Sequence, residues 1–445
     1  MQRTESPVTP PVVLTIAGSD SGGGAGIQAD LKTIEAGGAF GTSAVTSVTA
    51  QNTAGVQGSH LLPTEDIAAQ IRAVLDDFDV AAVKTGMLAT GDVVDLVVER
   101  AGDLPGLVVD PVMVATSGDR LLAREAEDAY EELVAESAVV TPNADEAAVL
   151  TGRDIDDPDD AAAAGRDLVE MGADAALVKG GHVPGDAVVD VLVTAETTTT
   201  YRHDRVDTDA THGSGCTLSA AIATRLAHGD DLRSAVASGI DLLSRAVRYN
   251  LDVGDGPGAV HHTVELRDAA AREETSEAVE SVVAALTGNE LAPLVPESGM
   301  AVAAATPYAE RPDEVAAVDG RVTLTMAGPR PNHGVRFGAE PELARSLLAV
   351  RERDPSRRFA VTCRLPDDTA LDALDGAVAS VADSEREADA TPEARVETAF
   401  EGFEGSPVAV VDPGAVGVEG RLLVLADGAA TVTERVETIL EHTEQ

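Results

Sequence analysis

Short runs of β-branched and other apolar residues alternate with longer alanine-rich segments over the first 200 residues. The runs have the length of buried strands and lie at residues 12–16, 44–49, 81–84, 107–109, 138–141, 175–178 and 188–193. The segments 64–76, 124–136 and 161–171 have helical spacing of apolar residues. Strands that alternate with helices pair in parallel. The pattern predicts an α/β fold: a doubly wound sheet with helices on both faces.

The pattern changes after residue 215. Helical segments follow one another to residue 249, and the Gly/Pro-rich string LDVGDGPGAVHH (251–262) ends this part of the chain. An acidic helical stretch covers 266–286. Strand-like runs then occur at 322–326, 359–363, 408–411 and 422–425. We therefore predict a first domain over 1–265, a linker or helix over 266–298, and a second, smaller α/β domain over 299–445.

The charge of the chain limits its partners. It has 77 acidic and 32 basic residues, a net charge of −45, and only three lysines, Lys32, Lys84 and Lys179. Because 44% of residues are hydrophobic, this acidity indicates the surface of a folded protein rather than disorder. Such a surface is typical of proteins from a high-salt cytoplasm, with an acidic mesophilic enzyme as the alternative. Repulsion argues against binding to nucleic acid or to an anionic membrane.

Cysteine and histidine usage gives further expectations. Cys216 and Cys363 are too few for a disulfide framework, which fits a reducing compartment. His261 and His262 form the only adjacent histidine pair, with no third ligand at metal spacing, so no structural metal is expected. The N-terminal string MQRTESPVTPP lacks the apolar core of a signal peptide, and no apolar run reaches membrane-spanning length. We expect a cytoplasmic protein.

A glycine-rich turn, TIAGSDSGGGAGIQADLKT (15–33), connects the first strand to a helix. Glycine allows positive φ and close approach of a ligand to the backbone. The segment from Gly24 to Ala29 matches the GxGxxA form of the dinucleotide fingerprint. However, the acidic residue about 20 positions later is missing, and there is no GK[ST] phosphate loop. A flexible strand–helix turn without ligand remains an alternative for this element on its own.

A second element, DATHGSGCTLSAAIATRL (209–226), places Gly213, Ser214, Gly215 and Cys216 at the start of an apolar helix. Small residues there direct free N–H groups and the positive end of the helix dipole at one point. This arrangement suits a phosphoryl group that gains charge during transfer. The dipole would also lower the pKa of Cys216 and favour its thiolate, a base for an attacking hydroxyl. The alternative is a small buried helix residue.

Four motifs occur in a fixed order: the glycine-rich start, TPN-xx-E (141–146), VKGGH (178–182) and THGSGCT (211–217). Together they resemble the ribokinase superfamily, in which most members have Asp at the position of Cys216. The strings GIQADLKT, AVTSVTAQNTAGV, VKTGMLA, VVDPVMVATSGD, TPNADEAAVLTG and GPGAVHH resemble the hydroxymethylpyrimidine/phosphomethylpyrimidine kinases, the ThiD family. The resemblance implies ATP- and Mg²⁺-dependent phosphorylation of hydroxymethylpyrimidine and then of its monophosphate. Because vitamin B6 kinases share the cysteine, a pyridoxal or pyridoxine kinase remains the alternative.

The resemblance also implies roles for individual residues. Those expected to line the pyrimidine pocket are Gly18, Asp30, Gln51, Met87 and Val112. Cys216 would be the catalytic base, and Gly213, Ser214 and Gly215 would form an anion hole. The expected ATP-binding residues are Asn143, Lys179 and Thr211, and the expected Mg²⁺ ligands are Glu146 and Asp110, with Asn143 beside them.

The C-terminal part resembles a different family. The strings GVRFGAEPELARSLLAVRERDPSRRFAVTCR (334–364) and AVVDPGAVGVEGRLLVLADGAATVTERV (409–436) are similar to the archaeal thiamine-phosphate synthase domain ThiN. The resemblance implies joining of the pyrimidine diphosphate to a thiazole phosphate, with Arg321, Arg336 and Arg345 as phosphate ligands. Glu342 replaces the family's histidine and would oppose anionic substrates. A thiamine-phosphate-sensing module and a scaffold for dimer contacts are the alternatives, and we expect a homodimer.

Overall fold

The computed structural model describes residues 6–113, 127–183, 185–287, 291–381, 390–403, 405–414 and 419–443. The chain forms two compact units, residues 1–266 and residues 267–445. The string VVDPVMVATSGD extends beyond the described residues at 114–119, as do the start of the predicted helix at 124–126 and the first five residues of the N-terminal string.

Strands and helices alternate through most of the first unit. Its strands are β1 (Val12–Ser19), β2 (Phe40–Asn52), β3 (Gly55–Leu61), β4 (Val80–Thr85), β5 (Leu107–Val109), β6 (Val139–Val140), β7 (Ala175–Val178), β8 (Ala187–Thr194) and β9 (Thr198–Asp204). Its helices are α1 (Gly26–Ala36), α2 (Thr64–Leu75), α3 (Gly91–Arg100), α4 (Glu127–Ala135), α5 (Ala144–Thr151), α6 (Pro158–Met171), α7 (Ser214–Ala227) and α8 (Leu232–Arg248).

The strands of the first unit form one sheet, and their order in it is β3-β2-β1-β4-β5-β6-β7-β8-β9. The six neighbouring strands β2, β1, β4, β5, β6 and β7 pair in parallel, as the alternating pattern predicted. The pairings of β3, β8 and β9 at the two edges are antiparallel. The sequence pattern missed β3 and β9, because their side chains are mostly exposed and polar and give no apolar run.

Helices pack on both faces of this sheet, which confirms the doubly wound prediction. One apolar core includes Ile67 of α2 and Val94 of α3, and it lies on one side of the strands. The other includes Ile34 of α1, Ile222 of α7 and Ile240 of α8. The parallel strands are therefore buried on both faces, as is usual for this class of sheet.

The second unit is smaller and mostly antiparallel. Its strands are β10 (Val302–Ala305), β11 (Val315–Val318), β12 (Val322–Thr325), β13 (Gly328–Pro331), β14 (Val335–Phe337), β15 (Phe359–Arg364), β16 (Val378–Ser380), β17 (Ala409–Asp412) and β18 (Arg421–Ala426). Its helices are α10 (Arg272–Thr287), α11 (Pro341–Arg353), α12 (Asp368–Asp372), α13 (Pro392–Ala399) and α14 (Ala429–His442), and α9 (Val264–Ala270) spans the division between the units.

The sheet of the second unit has the order β14-β11-β10-β15-β18-β17-β16, and β12 and β13 form a separate hairpin. The segment 266–298, predicted as a linker or helix, contains α10, which packs against this sheet and is therefore not a separate linker. Val279 and Val282 of α10 are buried in the same core as Val361 of β15. Their apolar spacing of three residues gives α10 a buried face, so it is part of the second unit.

No helix in the described part of the chain is both long enough and apolar enough to span a membrane.

Candidate active site

A cavity of about 650 Å³ opens at the carboxyl ends of the parallel strands in the first unit. Segments that follow β1, β4, β5, β6 and β7 form its wall together with the first turn of α7, and ligands of doubly wound sheets bind at this edge. Most of the residues singled out from the sequence line it: Gly18, Gln51, Met87, Asp110, Val112, Asn143, Glu146, Lys179, Thr211, Gly213, Ser214, Gly215 and Cys216.

The glycine-rich turn and the GSGC motif meet at the start of α7. Gly213 is the N-cap of α7 and has a φ of 85°, a left-handed conformation that favours glycine. The amides of Gly215 and Cys216 follow in the first turn, where no preceding helical turn supplies acceptors. A Cβ on Gly215 would lie 3.3 Å from Nζ of Lys179, so a cation adjoins this turn. The geometry is that of an anion-binding helix N-terminus beside an ammonium group.

Cys216 is half-buried in the cavity wall, and its chemistry differs from the sequence-based expectation. Burial raises the pKa of Cys216 to about 11, although Lys84 and the N–H of Gly26 oppose this effect. The pKa of Cys216 is thus raised, whereas the sequence-based expectation was a lowered pKa. Removal from water is the main cause, and the carboxylates of Asp30 and Asp110 add to it.

Lys179 lies between two carboxylates at the other side of the anion site. Its Nζ is 3.2 Å from Oδ1 of Asp110 and 3.9 Å from Oε2 of Glu146. Burial raises the pKa of Glu146 to about 7, opposed by Lys179 and supported by the charge of Asp110. Two buried carboxylates thus share one ammonium, and the group has an excess of negative charge that a divalent cation would balance.

Asn143 caps a helix, a structural role that the sequence analysis did not predict. It is the N-cap of α5, its Oδ1 accepts from the amide of Glu146 at 2.9 Å, and its own amide donates to Oε2 of Glu146 at 2.8 Å. This capping box fixes the Glu146 carboxylate beside Lys179. Asn143 therefore acts on the site chiefly by orienting Glu146.

The residues present fit a Mg²⁺ ion held partly by the nucleotide. Among the described residues, no three His, Cys, Asp or Glu side chains group as metal ligands. Asp110 and Glu146 would supply hard carboxylate oxygens, and Mg²⁺ commonly completes its shell with phosphate oxygens and water.

Gly18, Gln51, Met87 and Val112, the residues predicted to bind the pyrimidine, all line the cavity. A Cβ on Gly18 would be 2.4 Å from Cε of Met87, so the methionine methyl group packs closely against the backbone of Gly18. Thr49 donates to Oε1 of Gln51 at 3.3 Å. The Gln51 amide group can both donate to and accept from a ring edge, and Met87 offers a polarizable surface.

Asp30 does not line the cavity, which corrects the sequence-based prediction. Its side chain is completely buried beneath the wall, where both of its oxygens bind Nζ of Lys84 at 2.8 and 2.9 Å. Thr15 also donates to it at 2.6 Å. Asp30 is on the inward face of α1, and a single sequence does not show which face of that helix meets the ligand.

Sequence reasoning missed several further polar residues of the cavity wall, among them Asp20, Lys84 and His212. Asp20 accepts from the amides of Gly24 and Ala25 at 3.0 and 2.8 Å. His212 lies 3.2 Å from Oδ2 of Asp20 and 3.4 Å from Nε2 of Gln51. This link ties the glycine-rich turn to the GSGC motif. Two features of the sequence could have identified His212 and Lys84: the histidine lies within the THGSGC motif, and the lysine lies within a buried strand.

Residues 20–261 match the family model of phosphomethylpyrimidine kinase, which is more than half of the chain. The chain belongs to the phosphomethylpyrimidine kinase family. A hydroxymethylpyrimidine/phosphomethylpyrimidine kinase of Streptomyces coelicolor is 48% identical over 264 residues, which cover 59% of this chain and 98% of that protein. The first unit is therefore a phosphotransferase of the pyrimidine kinase type, and the predicted ribokinase-like fold and enzyme class are confirmed.

Solved structures of vitamin B6 kinases are similar to this kinase unit. An ADP complex of the pyridoxal kinase from Bacillus subtilis is 33% identical and covers 58% of this chain and all of that chain, with a TM-score of 0.54. A pyridoxal kinase of Staphylococcus aureus in complex with AMP-PCP and pyridoxal is 30% identical and covers 58% of this chain and 96% of that chain, with a TM-score of 0.55. Both of these relatives were solved with a nucleotide, ADP in the first and AMP-PCP in the second.

The second unit has a cavity of its own, of about 300 Å³. Residues 278–438 match the family model of thiamine-phosphate synthase ThiN. Arg321 lines this cavity, but its guanidinium donates to both oxygens of Glu340 at 3.1–3.2 Å and lies 3.8 Å from Oε2 of Glu342. Arg321 is thus already neutralised by carboxylates. Glu342 stands in the cavity wall where the sequence predicted a conflict with anions.

The other two predicted phosphate ligands are outside this cavity. Arg336 is exposed and pairs with Asp319 at 2.8 Å, and Arg345 pairs with Glu393 at 3.2 Å. Instead, Arg395 and Arg421 line the cavity with Arg321. The error arose because spacing within a strand or helix does not show which arginines tertiary packing directs into a common cavity.

Proposed function

We propose that the first unit transfers the γ-phosphoryl group of ATP to the hydroxymethyl group of 4-amino-5-hydroxymethyl-2-methylpyrimidine, and then a second phosphoryl group to the monophosphate. The observation that carries this proposal is one cavity whose wall combines side chains suited to a pyrimidine ring with a side chain suited to phosphate. Gln51 and Met87 are of the first kind, Lys179 is of the second, and Cys216 lies in the same wall.

The chain's own residues can account for the transfer. The first turn of α7, from Gly213 to Cys216, would hold the phosphoryl group as its charge develops, and Lys179 would neutralise the nucleotide phosphates. Gly18, Gln51, Met87 and Val112 would hold the pyrimidine, and Asn143 and Thr211 would support the nucleotide end. A bound Mg²⁺ at Asp110 and Glu146 would neutralise phosphate charge. Positioning and charge stabilisation are the main tasks of a phosphotransferase site.

Cys216 would accept the proton of the hydroxymethyl group. In each transfer an acceptor oxygen forms a bond to the γ-phosphorus, the bond from that phosphorus to the ADP oxygen breaks, and the acceptor proton, where one is present, passes to the sulfur. Ionised monophosphate oxygens need no base, so Cys216 matters most for the first transfer.

Competition between two substrates tests this proposal. The purified full chain is given equal concentrations of hydroxymethylpyrimidine and pyridoxal with limiting ATP, and both phosphorylated products are quantified. We expect the pyrimidine product to dominate by at least tenfold. Dominant pyridoxal 5′-phosphate would assign the chain to the vitamin B6 kinases instead, with which its fold is also compatible.

For the second unit we propose binding of a thiamine-type phosphate in a module derived from a synthase. Arg321, Arg395 and Arg421 line its cavity, but so do the carboxylates of Glu342, Asp412 and Glu419. A wall with balanced charge suits a ligand that carries both a cationic ring and a phosphate. It suits a diphosphate and a second phosphate together much less well, and this favours sensing over synthesis.

Incubation of the full chain with the pyrimidine diphosphate and thiazole phosphate in high salt tests this second proposal. We expect no thiamine phosphate above background, together with measurable binding of thiamine phosphate. Multiple-turnover synthesis would show that Glu342 is compatible with synthase activity. A fragment beginning at residue 290 is unsuitable, since it would lack the core helix α10.

We further propose a kinase domain over 1–265, a synthase-like domain that includes α10 and extends to residue 445, a homodimeric state, a cytoplasmic location and a high-salt, haloarchaeal origin. The support for the last is the net charge of −45 with three lysines.

A further inference from the structure

Lys84 is one of only three lysines, and it is completely buried in the middle of the first unit. It belongs to β4, and its ammonium binds both oxygens of Asp30, which is itself completely buried. Such a pair adds little net stability, because the desolvation of two charges offsets their attraction. Burial opposes the charge on Lys84, but Asp30 outweighs it and raises the pKa of Lys84, so the ammonium stays protonated.

The pair lies directly behind the catalytic cysteine. Lys84 and Cys216 both contribute to the cavity wall, and α7 packs against β4 and α1. Asp30 is one helical turn after Gly26 on α1, and both the N–H of Gly26 and the charge of Lys84 lower the pKa of Cys216. The ammonium of Lys84 is therefore held on an element that packs against the helix of Cys216.

Four charged groups act on Cys216 from the elements packed around it: Lys84 of β4, Asp30 of α1, Asp110 after β5, and Lys179 after β7. Lys179 is paired with Asp110 and Glu146 and adjoins the anion site. Lys84 has only the buried Asp30 as an ionic partner among the contacts described. It is thus a fixed charge, and after Asp30 the charge that most raises its pKa is that of Cys216.

We propose that Lys84, held in place by Asp30, is the positioning charge that favours the thiolate of Cys216 during phosphoryl transfer. This inference rests on the proposed kinase function. In the thiolate state the sulfur takes the hydroxymethyl proton while the oxygen bonds to the γ-phosphorus and the bond to ADP breaks. The resulting thiol returns its proton to solvent. Lys84 touches neither substrate and loses no proton itself.

The alkylation rate of Cys216 tests this role without any substrate. The full-length protein is treated with iodoacetamide between pH 7 and 9.5, and modification of the Cys216 peptide is followed by mass spectrometry. Only the thiolate reacts. A unit charge a few ångströms away shifts a pKa by about one unit or more, so Lys84→Met should slow alkylation at pH 8 by at least about tenfold. Lys84→Arg keeps the charge and should restore most of the rate.

A second variant controls for misfolding, because Lys84→Met leaves the buried carboxylate of Asp30 without its ionic partner. Asp30→Asn combined with Lys84→Met removes both charges and should fold. Its alkylation should also be slower, by a smaller factor, since Lys84 affects Cys216 more than Asp30 does. Arg153→Met is the matched control: it breaks an exposed ion pair with Asp167 outside the cavity wall and should leave the rate unchanged.

Kinetics with hydroxymethylpyrimidine complete the test. Lys84→Met should lower kcat by at least about tenfold and the double variant by a smaller factor, with little change in KM, and both should shift the pH–rate profile toward higher pH. Equal alkylation rates in wild type and in the double variant would overturn the proposal, even if the kinase assignment stands. Absence of pyrimidine phosphorylation would overturn the kinase assignment and leave the alkylation result to decide the effect of Lys84 on Cys216.

Discussion

Gly213 touches the backbone of Gly24, so the first turn of α7 rests on the glycine-rich turn: a Cβ added to Gly213 would lie 1.8 Å from the carbonyl oxygen of Gly24. The two elements that the sequence places nearly 190 residues apart are thus one site. Ribokinase-type chemistry depends on this contact, because it fixes the amides that would hold the phosphoryl group.

Gly213→Ala should abolish the kinase activity. The added Cβ meets backbone that cannot move aside, and alanine at a φ of 85° costs about 1 kcal/mol or more. We expect kcat/KM to fall at least a hundredfold and the melting temperature of the first unit to decrease. Gly102→Ala is the control, since a Cβ at Gly102 meets nothing within 4 Å and its φ is not positive. Near-normal kcat/KM in Gly213→Ala would contradict this geometry.

Cys216→Ala and Cys216→Ser should lower the first phosphoryl transfer by a factor of about 10²–10⁴, the usual range for loss of a general base. Binding of hydroxymethylpyrimidine, measured by calorimetry, should change little. Cys363→Ala is the matched control, because Cys363 is completely buried in the core of the second unit. If the Cys216 variants and the wild type had equal rates, the sulfur would not be the base.

His262 should make the first unit sensitive to mild acid. Burial lowers the pKa of His262 to about 4, and the charges of Lys32, His212 and His261 add to this effect. The unfolded chain, with a histidine pKa near 6.5, binds the proton first. The contribution of neutral His262 is therefore complete above about pH 6.5 and is lost as the pH falls toward 4. The expected loss is about 3 kcal/mol.

Calorimetric unfolding at constant high salt between pH 7 and pH 5 measures this effect. His262→Asn can keep a hydrogen bond to Thr217, which His262 Nδ1 contacts at 2.8 Å, but it cannot titrate. The variant should lose less stability than the wild type over this interval. The many carboxylates are common to both proteins, so the difference isolates residue 262. Parallel curves for the two proteins would show that His262 is not the acid-sensitive group.

Glu342→Gln should strengthen anion binding by the second unit. The substitution removes one of the two carboxylates beside Arg321 and leaves the pair with Glu340 intact. We expect the affinity for thiamine phosphate, measured by calorimetry, to rise severalfold at moderate salt, since the carboxylate is largely exposed and therefore screened. Glu393→Gln is the control, because it pairs with Arg345 away from the cavity wall. Weaker binding in Glu342→Gln would indicate that this carboxylate holds a cationic part of the ligand.

The sequence predicts the first sheet well, because buried parallel strands leave apolar runs that few other structures produce. It also predicts that Gly213 to Cys216 begin a helix, since they form one continuous motif, and these residues line the cavity. Three features depend on tertiary packing instead. Asp30 faces inward because of how α1 sits on the sheet, burial raises the pKa of Cys216, and Arg336 is turned to a surface partner. None of these features leaves a trace in residue spacing.

Product analysis of one reaction tests the central claim most directly. The purified full chain is incubated with ATP, Mg²⁺ and hydroxymethylpyrimidine in high salt, and the products are followed over time by ³¹P NMR and chromatography. The account predicts that the monophosphate forms first and is then converted to the diphosphate, with ADP released in each step. ADP release without either pyrimidine phosphate, or phosphorylation of pyridoxal alone, would contradict it.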